Sequence, residues 1–242
     1  MKYLFALVLL LTVASCGRQQ APAAGSEAQS LTETLDHPVF DEAFTAGFTL
    51  TQNGTTFVFR TEDVGRIDLP SGRLAAFDPF VAFEAEPFDK ALPRGSFPLR
   101  FAIARSGDDE RIALAKIAFS EARIARWELA LVKGQDPAAL KPGEFFGYGV
   151  DSGTGSFMDE AAMRAYAARL QHDGEKFSDQ LIESMEKTYR HTRSWLLLPT
   201  ERGTVALFSS GYGDGTYATY FAYDAQQNIV AAITDFGVVA WR

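Results

Sequence analysis

The stretch from Phe48 to Phe59 constrains the fold of this chain more than any other. Phe48-Thr49-Leu50-Thr51-Gln52 and Thr55-Thr56-Phe57-Val58-Phe59 are strand-like runs rich in Thr and Phe. They flank Asn53-Gly54, a dipeptide that readily takes the positive φ angles of a type I′ turn. A two-residue turn pairs Gln52 with Thr55, and hence Leu50 with Phe57 and Phe48 with Phe59. That register sets the large apolar groups on one face. Asn53-Gly54-Thr55 is also a glycosylation sequon, but between two strand-like runs the turn is the better explanation.

Further strands are expected at residues 73–77, 97–104, 111–119 and 126–132, with Gly107-Asp108-Asp109 turning between two of them. A helical interlude follows. Met163, Tyr166, Ala167 and Leu170 recur at helical spacing, and Gly174 is placed to end that helix. Ser178 is placed to cap a second helix, with Phe177 and Ile182 as its hydrophobic staple and Phe177, Leu181 and Met185 as its apolar stripe. Both stripes read as core-facing surface, not as a cofactor box. Strands return at 195–198, 204–209, 217–223 and 229–234, and a terminal one is expected at 238–241. The fold class is therefore α+β: mainly antiparallel sheet, with two helices inserted between β-rich halves.

The N-terminus supplies an address. Lys2 gives a small positive region, residues 4–13 are apolar, and the stretch is too short to span a bilayer. This is the anatomy of a secretory signal peptide over residues 1–15. Val13-Ala14-Ser15-Cys16 resembles the bacterial lipobox, in which the cysteine thiol is lipidated and becomes the new N-terminus. Cys16 is the single cysteine, so its lipidation leaves none for an internal disulfide, and stability must come from packing. The 47% hydrophobic content and 20 phenylalanines are ample for that. Acyl chains anchor by burying methylenes at ~0.8 kcal/mol each, so two or three hold firmly. Gly17, not Asp, follows the cysteine. By analogy with Gram-negative lipoproteins, that points to the periplasmic face of the outer membrane. Residues 17–36 are polar, lack aromatics and read as a flexible tether, and residues 37–242 read as one domain.

Charge excludes one class of partner. The chain carries 23 Lys and Arg against 31 Asp and Glu, a net −8, with no basic run, which makes it a poor nucleic-acid binder. The same acidity would repel anionic head groups, so the acyl anchor and not charge would hold it at the membrane.

Two segments put carboxylates and hydroxyls among glycines, whose missing Cβ lets backbone amides approach a ligand. One runs from Gly149 to Asp159 and is expected to lead directly into a helix, whose dipole would reinforce an anion site at its amides. The other is Ser209-Ser210-Gly211-Tyr212-Gly213-Asp214-Gly215-Thr216-Tyr217. Asp151, Gly153, Thr154, Gly155 and Asp159 of the first, with Ser210, Gly213, Asp214 and Thr216 of the second, are the candidate ligand-binding residues. Asp151, Asp214 and Asp235 are the candidate catalytic carboxylates. Asp151-Ser152-Gly153-Thr154 matches the aspartic-protease signature, but Gly213-Asp214-Gly215-Thr216 lacks the hydroxyl residue that a second copy needs after its Asp. Gly213 and Gly215 sit at dinucleotide-fingerprint spacing, yet a strand follows instead of a helix. Asp and Gly in such loops are commonly turn formers. No cofactor is expected, although Asp151, Asp159, Asp214 and Asp235 could converge on a divalent cation. His37, His172 and His191 have no ligand spacing.

These two segments resemble a known family, as do Gly72-Arg73-Leu74-Ala75-Ala76-Phe77-Asp78-Pro79, Trp127-Glu128-Leu129-Ala130 and Thr234-Asp235-Phe236. It is the bacterial family called domain of unknown function 4241. The similarity runs from about Gly72 to Val239, and Ser-Gly-Tyr-Gly-Asp-Gly-Thr-Tyr is its most specific piece. Members often carry Cys where this chain has Ser156. The resemblance implies a shared fold and no particular activity.

Three readings of function follow. The first is an envelope lipoprotein that binds a small ligand or an envelope protein around residues 151–159 and 209–217. The second is a hydrolase using Asp151 and Asp214 as acid/base or metal-binding carboxylates. The third is an immunity-type lipoprotein that masks a toxin.

Overall fold

Asn53 and Gly54 take φ of 51° and 77°, and the hairpin closes with Leu50 opposite Phe57 and Gln52 opposite Thr55. The amide of Phe59 donates to the carbonyl of Phe48 at 2.8 Å, so the expected register extends through the pair of phenylalanines. The computed structural model describes residues 39–81 and 85–241. The expected signal peptide, Cys16 and the tether lie outside the described residues.

A single helical turn, α1 (Val39–Glu42), precedes the hairpin of β1 (Thr49–Gln52) and β2 (Thr55–Leu69). Next come β3 (Leu74–Ala76), β4 (Gly95–Ser106), β5 (Asp109–Ala118) and β6 (Arg126–Leu129). Strands β7 (Tyr148–Val150) and β8 (Thr154–Asp159) lead into helices α2 (Glu160–Asp173) and α3 (Glu175–Glu186). The chain ends with β9 (Trp195–Thr200), β10 (Gly203–Ser209), β11 (Gly215–Tyr223) and β12 (Ile229–Asp235). All strand pairings among them are antiparallel, and the class is α+β as the sequence implies.

Two sheets form. The larger runs β1-β2-β4-β5-β12-β11-β6, with β7 also pairing β11, and the smaller runs β3-β8-β10-β9. Side-chain alternation makes the smaller sheet the middle layer. In β10, Ala206 and Phe208 join the core against the large sheet, while Val205 and Leu207 join a second core against the helices. Phe157 and Met158 of β8 divide the same way. Phe101 of β4 meets Phe208 with ring centroids 5.3 Å apart, which locks the two sheets together. On the outer side, Met163, Tyr166 and Leu170 of α2 and Phe177, Leu181 and Met185 of α3 close the second core. The architecture is large sheet, small sheet, helices.

Three local expectations are corrected. Ser178 does not cap α3: the helix begins at Glu175 after Gly174, whose φ of 53° ends one helix and starts the next. Phe177 therefore lies inside the helix. Ile182 follows Leu181 by one residue, about 100° around the axis, and is 46% exposed instead of stapling. The segment expected to lead directly into a helix first forms the buried strand β8, so the turn at Asp151 is not a helix N-terminus. Residues 238–241 form no strand. Gly237, at φ 60°, diverts the chain after β12, and Val238, Val239 and Trp241 pack into the core as irregular backbone.

Candidate functional site

Strands β7 and β8 are joined by the turn Asp151-Ser152-Gly153, and β10 and β11 by the loop Ser210–Asp214. Pairing of Gly215 with Val150 and of Thr216 with Gly149 sets the two connections side by side. The Ser210 amide donates to the Gly153 carbonyl at 3.1 Å and ties them together. The two glycine-rich segments thus adjoin in space, with the side chains of Asp151, Ser152, Asp214 and Thr216 exposed.

The turn is held from below by a residue outside the two glycine-rich segments. Asp78 is fully buried. Its Oδ2 accepts from the amides of Asp151 at 2.9 Å and Ser152 at 2.8 Å. Its Oδ1 accepts from Ser152 Oγ at 2.7 Å and from the Phe80 amide at 2.9 Å. The hint in the sequence is slight. A carboxylate placed between Phe77 and Pro79, after Leu74-Ala75-Ala76, must either face solvent or find donors inside. Asp78 finds four.

Several other candidates are bracing residues. Asp159, fully buried, caps α2 by accepting from the Ala161 amide at 2.9 Å, and its other oxygen accepts from Ser71 N at 2.9 Å and Ser71 Oγ at 2.7 Å. Ser210 is buried, and its Oγ donates to the Gly213 carbonyl at 2.9 Å. Tyr217 Oη donates to that same carbonyl at 2.7 Å, which turns the loop's carbonyls inward. Burial and the Asp214 carboxylate raise the pKa of this phenol, keeping it a donor. Thr154 is buried opposite Ser209. Gly155 is required for packing: a Cβ there would lie 2.9 Å from Tyr148 Oη and 3.3 Å from the Phe208 and Phe236 rings. Ser156 is fully buried, and its Oγ donates to the Phe77 carbonyl at 2.7 Å.

Asp235 belongs elsewhere. Its Oδ1 accepts from the Gly237 amide at 2.9 Å and from Trp241 Nε1 at 3.0 Å. It lines a cavity near the β1–β2 turn whose walls include neither Asp151 nor Asp214. Among the described residues no group of three or more His, Cys, Asp or Glu side chains is placed to hold a metal ion, so the four aspartates do not converge on one.

The surroundings of the two loops are also built by residues outside the motifs. Arg111 reaches the Gly211 carbonyl at 3.4 Å, and its guanidinium lies 5.1 Å from the ring centre of Tyr212, which is 57% exposed at the loop's tip. Next to Arg111, Glu110 is 6% exposed and Arg193 1% exposed. Arg193 Nε and Nη2 donate to Glu110 Oε2 at 3.2 and 3.1 Å, and Arg60 Nη2 donates to the same oxygen at 3.2 Å. Burial alone would raise the Glu110 pKa, but hydrogen bonds from Arg60 and Arg193 outweigh it and hold the carboxyl below its ordinary value.

On the other side of the Asp151 turn a cleft of about 450 Å³ opens between the small sheet and α3. Ser152, Thr154 and Ser194 line one wall, and Ile182, Met185 and Tyr189 the other. Ile182 and Tyr189 are 46% and 62% exposed, so apolar surface rims this cleft.

The comparisons with known proteins give one result. The family model described as "Protein of unknown function (DUF4241)" matches residues 67–234, which take in β3, both helices, both loops and most of the two sheets. No curated protein and no solved structure matches the chain significantly. The chain belongs to the DUF4241 family of proteins of unknown function.

Proposed function

We propose that this chain is a lipid-anchored envelope protein that binds a partner protein through the surface formed by the Asp151 turn, the Tyr212 loop and the α3 cleft. The observation that carries this reading is the placement of exposed apolar groups. Ile182 and Tyr189 rim the cleft that Ser152 and Thr154 line, and Tyr212 tops the loop bonded to the same turn. Aromatic side chains with a polar tip are enriched where proteins meet. The exposed carboxylates of Asp151 and Asp214 add a negative rim, which suits a partner with basic groups around an apolar anchor. Asp78 and Arg111 fix the turn and the ring beforehand, which lowers the ordering cost of association.

Site-specific photo-crosslinking in cells tests this. A photoreactive phenylalanine at position 189 or 212 should give the same discrete adduct, and Ile182→Glu in α3 should abolish both. The same group at Val58, 45% exposed on β2, is the control. Adducts at position 58 matching those at 189 and 212, or none at any position, would overturn the reading.

A further inference from the structure

The strands that end the two sheets are β1 and β6 in the larger and β3 and β9 in the smaller, and they are not alike. The outward groups of β9 are stopped. The Thr188 hydroxyl accepts from the Trp195 amide at 2.8 Å and lies 2.5 Å from the Trp195 carbonyl, while Pro199 has no amide to offer. β3 is covered by the chain at Phe88, whose amide donates to the Leu74 carbonyl at 2.8 Å. β6 carries the charges of Arg126 and Glu128. β1 has none of these devices, and the run from Phe48 to Phe59 contains no Asp, Glu, Lys, Arg, His or Pro. The turn fixes which groups β1 presents. Gln52 pairs Thr55 across the two-residue turn and the Phe59 amide reaches the Phe48 carbonyl, so Phe48, Leu50 and Gln52 aim their peptide groups at β2. Alternation turns the amides and carbonyls of Thr49 and Thr51 outward. Both residues are exposed, and among the described residues these four groups have no hydrogen-bond partner.

We infer that this edge is a self-association site, at which β1 pairs antiparallel with β1 of a second copy of this chain about a two-fold axis through Leu50. In that register Thr49 of each copy stands opposite Thr51 of the other. Each such pair exchanges two N–H···O bonds, so four form and every outward group of Thr49 and Thr51 is used. Leu50 meets its own symmetry mate across the axis and Phe48 meets Gln52, on the face where Phe48 and Leu50 already pack against the core. The threonines pair on the opposite face, a favourable cross-strand combination. Moving the axis to Thr49 or Thr51 would match only that residue, because the Gly47 amide is taken by the Phe59 carbonyl and Asn53 lies in the turn. A second copy is thus the occupant whose edge fits group for group. Each copy carries a net −8, but the uncharged hairpin sets no like charges opposite one another. The pairing is short, so the dimer is weak, with a Kd expected near about 0.1 mM. This edge shares no residue with the α3 cleft, and neither reading depends on the other. A self-adduct formed at Val58, which lies opposite Thr49, would have twice the chain's mass, unlike the partner adduct sought at positions 189 and 212.

Sedimentation equilibrium of the full chain in detergent, over about 0.01–1 mM, should show a monomer–dimer equilibrium. Thr51→Pro removes an amide that β2 does not use, so this variant should keep the parent's thermal midpoint. By symmetry it deletes two of the four intermolecular bonds, and the dissociation constant should rise about tenfold or more. Disulfide trapping reads the register. With Cys16→Ala removing the native thiol, Leu50→Cys should link two chains on mild oxidation, since directly opposed residues of a non-hydrogen-bonded pair have Cα atoms about 4.5 Å apart. Thr51→Cys in the same background should not, because its mate lies two residues further along the strand, about 8–9 Å away. A chain that stays monomeric over the whole range, a dimer indifferent to Thr51→Pro, or equal trapping by Leu50→Cys and Thr51→Cys would overturn the inference.

Discussion

Asp78 and Ser152 lie 74 positions apart in the chain and meet through two donors of one residue, the Ser152 amide at 2.8 Å and its hydroxyl at 2.7 Å. With the Asp151 and Phe80 amides, that makes one buried carboxylate the organiser of a turn whose own aspartate points to solvent. Asp78→Ala would strand three amides and a hydroxyl, at ~1–3 kcal/mol for each group left unsatisfied. Water reaching the vacated space offsets part of this, and the expected loss is about 3–5 kcal/mol in urea unfolding. Asp151→Ala, which removes an exposed side chain and leaves the amide, should cost about 0.5 kcal/mol or less. Equal effects of the two would mean that Asp78 does not organise the turn.

Glu110 links acid stability to the base of the Tyr212 loop. Its pKa in the folded chain is below its ordinary value. The carboxylate therefore adds stability that is fully present above that ordinary value, near 4.5, and is lost as pH falls through the lower folded-state value. Glu110→Gln should unfold more easily at neutral pH, by about 2 kcal/mol, because buried Arg193 would keep only the more distant carboxylate of Glu62, at 3.7 Å, as its countercharge. It should also lose less stability than the parent on acidification below about pH 5. The difference between the two unfolding free energies, measured from pH 7 to pH 3, should shrink in acid. A constant difference would mean that the ion pair is not the titrating element.

How much of this was legible beforehand depends on how local the determining contacts are. The β1–β2 register was readable because Asn53-Gly54 fixes it within a dozen residues. The stripe of α3 was readable because Phe177, Leu181 and Met185 repeat at helical spacing, whereas its start was not, because Gly174 caps it by backbone shape without a side-chain signal. The adjacency of the two glycine-rich segments depends on β7 pairing β11, a contact of high sequence separation that no periodicity reports. Asp78 escaped notice for the same reason. Three of its four donors come from Asp151 and Ser152, far along the chain, and the residues beside it give only a slight hint of them.

Membrane attachment is a separate expectation that rests on Val13-Ala14-Ser15-Cys16. Cys16→Ala should abolish lipoprotein-type processing and move the protein from the membrane to the soluble fraction, as expected where two or three acyl chains would supply the attachment. Metabolic labelling with a palmitate analogue should mark the parent and not the variant. A variant that still matured normally and stayed membrane-bound would show that Cys16 is not the anchor.

Tyr148 and Gly155 give the sharpest test of whether the glycine-rich segment serves packing or recognition. Tyr148 Oη is buried without a well-formed hydrogen bond, the neighbouring Thr234 hydroxyl being engaged with Thr219 at 2.7 Å. Burial raises the pKa of this phenol, so it stays neutral. Tyr148→Phe should thus be neutral or stabilising by up to about 1 kcal/mol, because a desolvated hydroxyl with no partner is removed. Gly155→Ala should cost about 1–3 kcal/mol, since its Cβ would fall 2.9 Å from that same oxygen and 3.3 Å from two rings. Combining them should recover more than about 0.5 kcal/mol beyond additivity, the coupling expected of atoms in contact. The Phe208 and Phe236 rings remain against the new methyl, so the recovery should be partial. Strict additivity would mean that the hydroxyl is not what excludes a side chain at position 155.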